Sequence, residues 1–572
     1  MDESLHAVGA YAHTFAGDYH INPEHPPLWK YWAMIPDRAA DLNYDRAHPH
    51  WDACLVGDYE RQLWFAGETL YRGGRDGVAF INRARMAMIA LSLGLGALVM
   101  AFAWKAAGPA AAVIAGALFC LDPNFLGHGP LVTNDTATAL VMFALVFAVY
   151  LLGNQITMSR VVLVVVLCAI GPVVKFTGVL FLPLLGALLL IRASGAQPWS
   201  RFNTRRSRML LAAGIWLTAL IMTWAFMWGA YRFRYAAVEQ PGRQMDFQPH
   251  VTHAVRNNYF LQHGEWPSPR QEQTLPRPLM VRTILWCNAN RLLPESWLYG
   301  FLYAYQASLV RPSFLMGQVR ETGWWYYFPL VMCFKTPVCT LAAIGVSFIA
   351  LAIWLIRRRA RVGFDDSWRM LCILIPLGIY CASAMSANLN LGIRHILPVY
   401  PFLFVMAGIV LARTIAWRRI QAIVLALLIA GALSLESIAA FPNFISFFNA
   451  AAGGPLRGVA LLADSNLDWG QDLPAVAAWQ RAHPSERLYL CYFGSADPAS
   501  YGIRYINLPS GYYLDPNVQM PSAPGVIAVS ATKLQGLYVY PNVLPFYEAL
   551  RQREPREVLN GTIYLFDWPA SP

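Results

Sequence analysis

The chain has 572 residues, of which 56% are hydrophobic and only 13% are charged, with a mean hydropathy of +0.38. Soluble proteins carry roughly a quarter charged residues, so this composition excludes an ordinary soluble protein and indicates many segments in lipid. The net charge of +11 comes from short arginine runs, which are typical of cytoplasmic loops between spans, and we expect no nucleic-acid partner.

Residues 1–85 precede every predicted span and hold two polar motifs. The first is Asp2-Glu3-Ser4-Leu5-His6, and the second runs from Asn22 to Lys30 through Pro23-Glu24-His25-Pro26-Pro27. The acids of the first motif either begin a helix over 4–15 or do chemistry at the water–lipid boundary. The prolines of the second fix the backbone and present Glu24 and His25 rigidly, while Lys30 either binds a phosphate or extends toward water.

Length and apolarity predict ten spans. They cover 86–104, 109–123, 131–153, 159–174, 176–192, 208–229, 329–356, 368–386, 394–415 and 419–441. The chain therefore divides into a first loop (1–85), a first set of spans (86–229), a large loop (230–328), a second set of spans (329–441) and a tail (442–572).

Arginine runs set the direction of these spans. They occur at 201–208, 357–361 and 413–419, which places those connections in the cytoplasm. Counting spans then places the first loop, the large loop and the tail outside the cytoplasm. Because the first loop lies outside, we expect one further span upstream of Met1.

The large loop is rich in proline and aromatic residues. Gly264 to Pro269 and Leu275 to Pro278 are breakers, and Gly323-Trp324-Trp325-Tyr326-Tyr327-Phe328 leads into the next span. The aromatic residues form either an interfacial belt or a wall that contacts sugar or lipid.

The tail is more polar and is predicted to form a small α/β domain. Strands are expected at 487–493, 525–530 and 562–566, and helices at 471–481 and 546–551. Its densest polar motif runs from Asp464 to Leu473. Either Asp472 caps the following helix while the other residues form Asx turns, or the loop contacts the membrane domain and substrate.

Further polar residues recur at span ends on the outer side. They are Asn134 and Asp135, Lys175, Lys335, and the Arg394-His395 pair. Three cations and an acid at similar depth predict an anionic ligand near the lipid headgroups, for which a phosphate is suitable.

These motifs resemble the lipid-carrier-dependent glycosyltransferases of the C-type membrane fold, which include protein O-mannosyltransferases and the aminoarabinose transferases of lipid A. The matching pieces are Asp2-Glu3, His25 to Lys30, Thr133-Asn134-Asp135, Arg394 to Pro398, and Asp464 to Leu473. The resemblance implies a polytopic helical membrane protein of that fold, with a small extracytoplasmic C-terminal α/β domain. It also implies a polyprenyl-phosphate sugar as donor and a protein, lipid or envelope glycan as acceptor outside a bacterial inner membrane.

Carried onto this chain, the resemblance makes Asp2 the catalytic carboxylate with Glu3 beside it. Asp2 would remove the acceptor proton while the lipid phosphate leaves, so inversion at the sugar is expected. The phosphate charge would be stabilised by Lys30, Lys335 and Arg394. The resemblance implies no definite cofactor besides the donor, and a divalent metal held by Asp2, Glu3 or His6 is an open alternative. The full set of predicted substrate-binding residues is His6, Glu24, His25, Lys30, Asp135, Lys175, Lys335, Arg394 and His395.

Two other classes of function remain open. A transporter or flippase of a lipid-linked sugar would place ionisable residues near mid-membrane and show paired repeats, neither of which the sequence shows. A membrane scaffold with a sensing outer domain would leave the first-loop motif without a role. The sugar, the acceptor and the oligomeric state are not determined by the sequence.

Overall fold

The computed structural model describes residues 2–240, 242–357, 364–415 and 419–569. Four arginines used to orient the spans, Arg358, Arg359, Arg361 and Arg418, lie outside these described residues.

Membrane-length helices dominate the described chain. Six are long and apolar enough to cross a bilayer: Gly77–Ala107, Asp135–Asn154, Phe176–Ser194, Arg205–Ala230, Phe364–Ser386 and Leu397–Thr414. Four shorter apolar helices accompany them: Pro109–Cys120, Met158–Val174, Val338–Trp354 and Ala426–Ala440. Together they match the ten predicted spans in order, and they confirm a polytopic helical membrane protein.

The first long helix begins earlier than predicted, at Gly77 instead of residue 86. Asp76 caps it by accepting from the backbone N–H of Ala79 at 2.9 Å. Two arginines in its first turns are paired with acids of the preceding loop. Arg83 Nε lies 2.7 Å from Asp37 Oδ1, and Arg85 Nη2 lies 2.5 Å from Glu3 Oε2. These ion pairs allow charged residues in helical turns that hydropathy alone excludes.

Two predicted spans are interrupted. The span expected over 329–356 is two helices, Tyr327–Lys335 and Val338–Arg357, because Pro337 has no backbone N–H to continue the ladder. The segment from 394 begins with short 3₁₀ turns before the helix Tyr400–Ile415. Both interruptions place polar residues at the ends of helices.

The first loop is mostly helical. Its α-helices are Glu3–Tyr11, Leu28–Ala33, Pro49–Ala53 and Tyr59–Gly67. The large loop also forms helices, at Gln248–His263, Pro269–Glu272, Leu279–Ala289 and Glu295–Leu309, followed by a hairpin of β1 (Ser313–Leu315) and β2 (Gln318–Arg320). The prolines predicted as breakers mark helix starts, where a missing N–H costs nothing. The two loops share one apolar core, which fixes them against each other.

The tail forms a mixed five-stranded sheet. Its strands are β3 (Leu488–Cys491), β4 (Ile506–Asn507), β5 (Gly525–Ser530), β6 (Glu557–Leu559) and β7 (Ile563–Trp568), in the order β4-β3-β5-β7-β6. β3 pairs in parallel with β4 and β5, whereas β7 runs antiparallel to β5 and β6. Helices Leu473–Ala482 and Leu544–Arg551 accompany the sheet, as the alternating pattern predicts.

Candidate active site

A cavity of about 390 Å³ lies where the first loop, the ends of membrane helices and the helix Glu295–Leu309 meet. Eight of the predicted site residues line it: Asp2, His6, Glu24, His25, Asp135, Lys175, Arg394 and His395. Much of the remaining wall is apolar, with Phe176, Val179, Leu180, Phe301, Phe328 and Leu389. The cavity thus joins a charged region to an apolar one.

Arg394 is the centre of the charged region. Its guanidinium lies 3.5 Å from Asp2 Oδ2 and 3.7 Å from Asp135 Oδ2. The other oxygen of Asp135 accepts from Lys175 Nζ at 2.5 Å. Asp2 and Asp135 therefore share one cation, although they are 133 positions apart in the numbering.

Asp2 is the more accessible of the two acids. Its side chain is 22% exposed, whereas that of Asp135 is 1% exposed and shared between Lys175 and Arg394. The hydroxyl of Tyr59 donates to Asp2 Oδ1 at 3.3 Å. Burial would raise the pKa of the Asp2 carboxyl, but nearby positive charge, chiefly that of Arg394, outweighs it and holds the pKa below its usual value. Asp2 is thus an ionised carboxylate open to the cavity.

Two histidines stand beside Asp2. The rings of His6 and His25 meet edge to face with centroids 4.6 Å apart. His6 Nδ1 lies 3.0 Å from the carbonyl oxygen of Val132, and Asn134 Nδ2 lies 3.1 Å from His25 Nδ1. Burial lowers the pKa of His6 to about 4 and that of His25 well below its usual value, so both rings are neutral near pH 7.

Glu24 is held within a small buried network. Its carboxylate accepts from Asn22 Nδ2 at 3.0 Å and from Gln62 Nε2 at 3.1 Å. Burial raises the pKa of this carboxyl above its usual value. The pKa of Glu24 is therefore shifted in the opposite direction to that of Asp2, although both residues line the same cavity.

Three predicted residues are not brought to the cavity wall. Glu3 pairs with Arg85 and accepts from the backbone N–H of Val132 at 3.0 Å. Lys30 is fully buried and donates to the carbonyl of Asn22 at 2.6 Å. Lys335 is equally buried and donates to the carbonyls of Ile445 at 2.7 Å and Asn466 at 2.6 Å. Backbone carbonyls thus occupy both lysines that were expected to bind phosphate.

Arg311 is a cavity residue that the sequence did not indicate. It follows the helix Glu295–Leu309, lines the cavity and interacts with Tyr303, Tyr538 and Asp464. Burial would lower the pKa of Arg311, but these phenols and the carboxylate raise it, so the cation is retained. A single arginine before a proline has no periodic signal, and only the fold brings it near Asp2.

The tail loop Asp464 to Leu473 contacts the Arg394 segment. Ser465 Oγ accepts from Arg394 Nε at 3.1 Å, and the Trp469 ring lies 4.5 Å from the guanidinium carbon. Asn466 Oδ1 accepts from the backbone N–H of Ile393 at 2.8 Å. The loop therefore lies against the membrane domain, as one of the two predicted alternatives requires.

The other alternative was a helix cap at Asp472 with Asx turns in the rest of the loop. It is wrong for Asp472 and right for Asp468. Asp472 makes no capping bond and accepts instead from Asn560 and Thr562 at 2.8 and 2.5 Å. Asp468 accepts from the N–H of Gly470 at 3.1 Å, which is an Asx turn.

The donor set does not fit a protein-held metal. Within the described ranges there is no group of three or more His, Cys, Asp or Glu side chains arranged to hold an ion. Asp2 and Asp135 are engaged by Arg394, and Glu3 is engaged by Arg85.

No family model matches the chain, and no curated protein matches it. Among solved structures, ArnT from Cupriavidus metallidurans bound to undecaprenyl phosphate aligns at 13% identity and a TM-score of 0.26, covering 99% of this chain and 93% of that one. An oligosaccharyltransferase from Archaeoglobus fulgidus aligns at 12% identity and a TM-score of 0.35, covering 95% and 71%. At these TM-scores the two alignments carry no argument about function.

Proposed function

We propose that the chain is a membrane glycosyltransferase that moves a sugar from a polyprenyl-phosphate carrier to an acceptor hydroxyl or amine. The observation that carries this proposal is the cavity, where an accessible carboxylate, three cations and an apolar wall meet. A lipid-linked donor has those same parts, namely a prenyl chain, a phosphate and a sugar. The proposed acceptor is an envelope glycan, a lipid or a protein. The proposed location is a bacterial inner membrane, with the site outside the cytoplasm.

The apolar wall and the cations would bind different parts of the donor. Phe176, Leu180 and Phe328 would contact the first prenyl units. Arg394, Lys175 and Arg311 would hold the phosphate, because charge-assisted bonds strengthen as the leaving oxygen gains charge. Lys30 and Lys335 have no part in this binding, since backbone carbonyls hold them elsewhere.

Asp2 is the proposed general base. It takes the proton of the acceptor as the acceptor atom attacks the anomeric carbon, and the carbon–oxygen bond to the phosphate breaks with its electrons retained on the carrier. A single displacement inverts the configuration of the sugar. Asp135 keeps Lys175 and Arg394 in place, and Glu3 orients the first helix through Arg85.

Asp2→Asn tests the proposal. We expect sugar transfer from a labelled polyprenyl-phosphate donor to fall about 10²–10⁴-fold, because proton removal by a positioned base contributes that much. Asp45→Asn in the same loop is the control, since Asp45 is exposed and accepts only a local backbone bond. Purified protein in proteoliposomes, supplied with cell-envelope extract, provides the assay. Unchanged transfer by Asp2→Asn would remove Asp2 from the mechanism, and donor movement across the bilayer without transfer would favour a flippase.

A further inference from the structure

The helix Leu279–Ala289 has apolar residues on opposite faces. Val281 and Ile284 are buried in the core that the two loops share. On the other face, Leu279 is 77% exposed and Trp286 60%, and Met280 at the flank between the two faces is 40% exposed. A helix at a water-facing surface carries polar residues on its outer face, so this outer face needs an apolar partner.

The helix is tied to the end of a membrane span. The indole nitrogens of Trp224 and Trp228 donate to the carbonyl of Leu292, at 3.0 and 3.2 Å. Both tryptophans lie within about 9 Å of the end of the span Arg205–Ala230, given the rise of an α-helix. Tryptophan at that depth is typical of the membrane–water boundary.

Exposed apolar residues also occur at the end of the span that contacts Leu292. Trp224 is 55% exposed on the span, and Phe233, just beyond its end, is 75% exposed. We call Trp224, Phe233, Leu279, Met280 and Trp286 the outer apolar surface. A surface that extends a lipid-contacting helix at its end meets the same bilayer.

The chain segment that carries this helix has charge of one sign. Residues 273–294 contain Arg277, Arg282 and Arg291 and no aspartate or glutamate. All three arginines are exposed. Basic side chains beside an apolar face favour anionic lipid headgroups.

We infer that the outer apolar surface lies in the headgroup region of the bilayer and binds anionic phospholipid. The inference rests on the membrane spans and does not depend on glycosyl transfer. The helix Glu295–Leu309, which supplies Phe301 and Tyr303 to the cavity, follows after five residues. Lipid contact at the outer apolar surface therefore anchors one wall of the cavity.

Photo-crosslinking tests this placement. A benzophenone amino acid is introduced in place of Trp286 or, separately, Leu279, and the full chain is placed in nanodiscs of phosphatidylglycerol and phosphatidylethanolamine in equal parts. We expect phospholipid adducts at both positions by mass spectrometry. Tyr540, which is 62% exposed on the tail, is the control and should give none. Adducts with a second copy of the chain, or no lipid adduct at either position, would overturn the inference.

A second variant tests the preference for anionic lipid. Arg282→Gln is combined with the crosslinker at Trp286, and the ratio of phosphatidylglycerol to phosphatidylethanolamine adducts is measured. We expect that ratio to fall by about fivefold, the effect of one basic residue near an anionic surface. Equal adduct yields from the two lipids before the substitution would overturn the anionic preference. Thermal unfolding of each variant confirms that it is folded, and both substitutions alter exposed side chains.

Discussion

At the scale of single residues, Lys30 shows how a motif is reinterpreted by its surroundings. Its ammonium donates to the carbonyl of Asn22, whose φ of 54° is in the left-handed region. The backbone N–H of Asn22 donates to Gln62 Oε1 at 2.9 Å. Lys30 therefore fixes the turn that presents Glu24 and His25 to the cavity. The sequence could place Lys30 one turn beyond Pro26 but not the direction of its side chain.

Lys30→Met should separate positioning from phosphate binding. We expect the affinity for sugar-free polyprenyl phosphate to stay within about twofold, while transfer falls at least about tenfold as the turn loses its donor. Binding is followed by thermal shift and transfer by the labelled donor. Arg192→Met, a buried cation that donates to carbonyls of Gly153 and Pro198 elsewhere, is the control for general destabilisation. A loss of affinity as large as that of Arg394→Ala would show that Lys30 contacts the phosphate.

The ionisation of Asp2 depends on Arg394. Burial favours the neutral acid, and Arg394 is the largest influence that lowers the pKa of Asp2. Arg394→Gln removes that influence and leaves the burial, so the pKa of Asp2 rises. The base then becomes protonated at a higher pH, and we expect the acid limb of the residual transfer rate to move upward. A pH–rate profile of kcat/KM measures this, and an unmoved acid limb would contradict the coupling.

At the scale of elements, the sequence predicts spans well and their ends poorly. Among the described residues, apolar length identifies the six helices that are long enough to cross a bilayer, and four shorter apolar helices overlap the other predicted spans. The ends depend on distant partners, as the Arg85–Glu3 pair extends the first helix to Gly77. The sequence does not predict the helices of the large loop, because prolines such as Pro269 and Pro278 indicate breaks when they in fact precede or begin helices.

Gly300 decides how closely one of those helices approaches the first loop. A Cβ at Gly300 would lie 1.8 Å from the carbonyl oxygen of Pro23 and 2.8 Å from the Phe176 ring. Gly300→Ala should therefore destabilise the protein by about 1–3 kcal/mol and reduce transfer. Gly345→Ala is the matched control, because nothing lies within 4 Å of its added Cβ and alanine favours a helix by about 1 kcal/mol. Thermal unfolding in detergent compares the two, and equal stability would contradict the close approach.

At the scale of the whole molecule, the tail loop Asp464 to Leu473 contacts the cavity residue Arg394. The alternation of strands and helices predicts its fold, and β5 has the predicted bounds. The docking of the tail loop on Arg394 joins residues 71 positions apart, and no local period encodes such a contact. The sequence predicts that Asp2, Asp135 and Arg394 lie at similar depth in the membrane. It does not predict that Arg311 lines the same cavity.

Asn466 is the central contact of this docking. It accepts from Ile393 N–H, donates to Tyr327 at 2.8 Å, and its carbonyl receives Lys335. Asn466→Ala should leave buried groups unpaired, cost about 1–3 kcal/mol and speed hydrogen exchange in residues 388–399. The exposed tail residue Asn517, changed to alanine, is the control. Exchange that stays equal in the two variants would show that the loop does not brace Arg394.

Asp2 in the cavity wall lies early in the chain, whereas Ser465, which contacts Arg394, lies in the tail. During translation, Asp2 is therefore synthesised long before the tail loop that contacts Arg394. Nascent and prematurely terminated copies contain Asp2 and Arg394 but lack the tail loop that contacts Arg394. The proposed sugar transfer therefore requires the tail loop, which is synthesised well after Asp2.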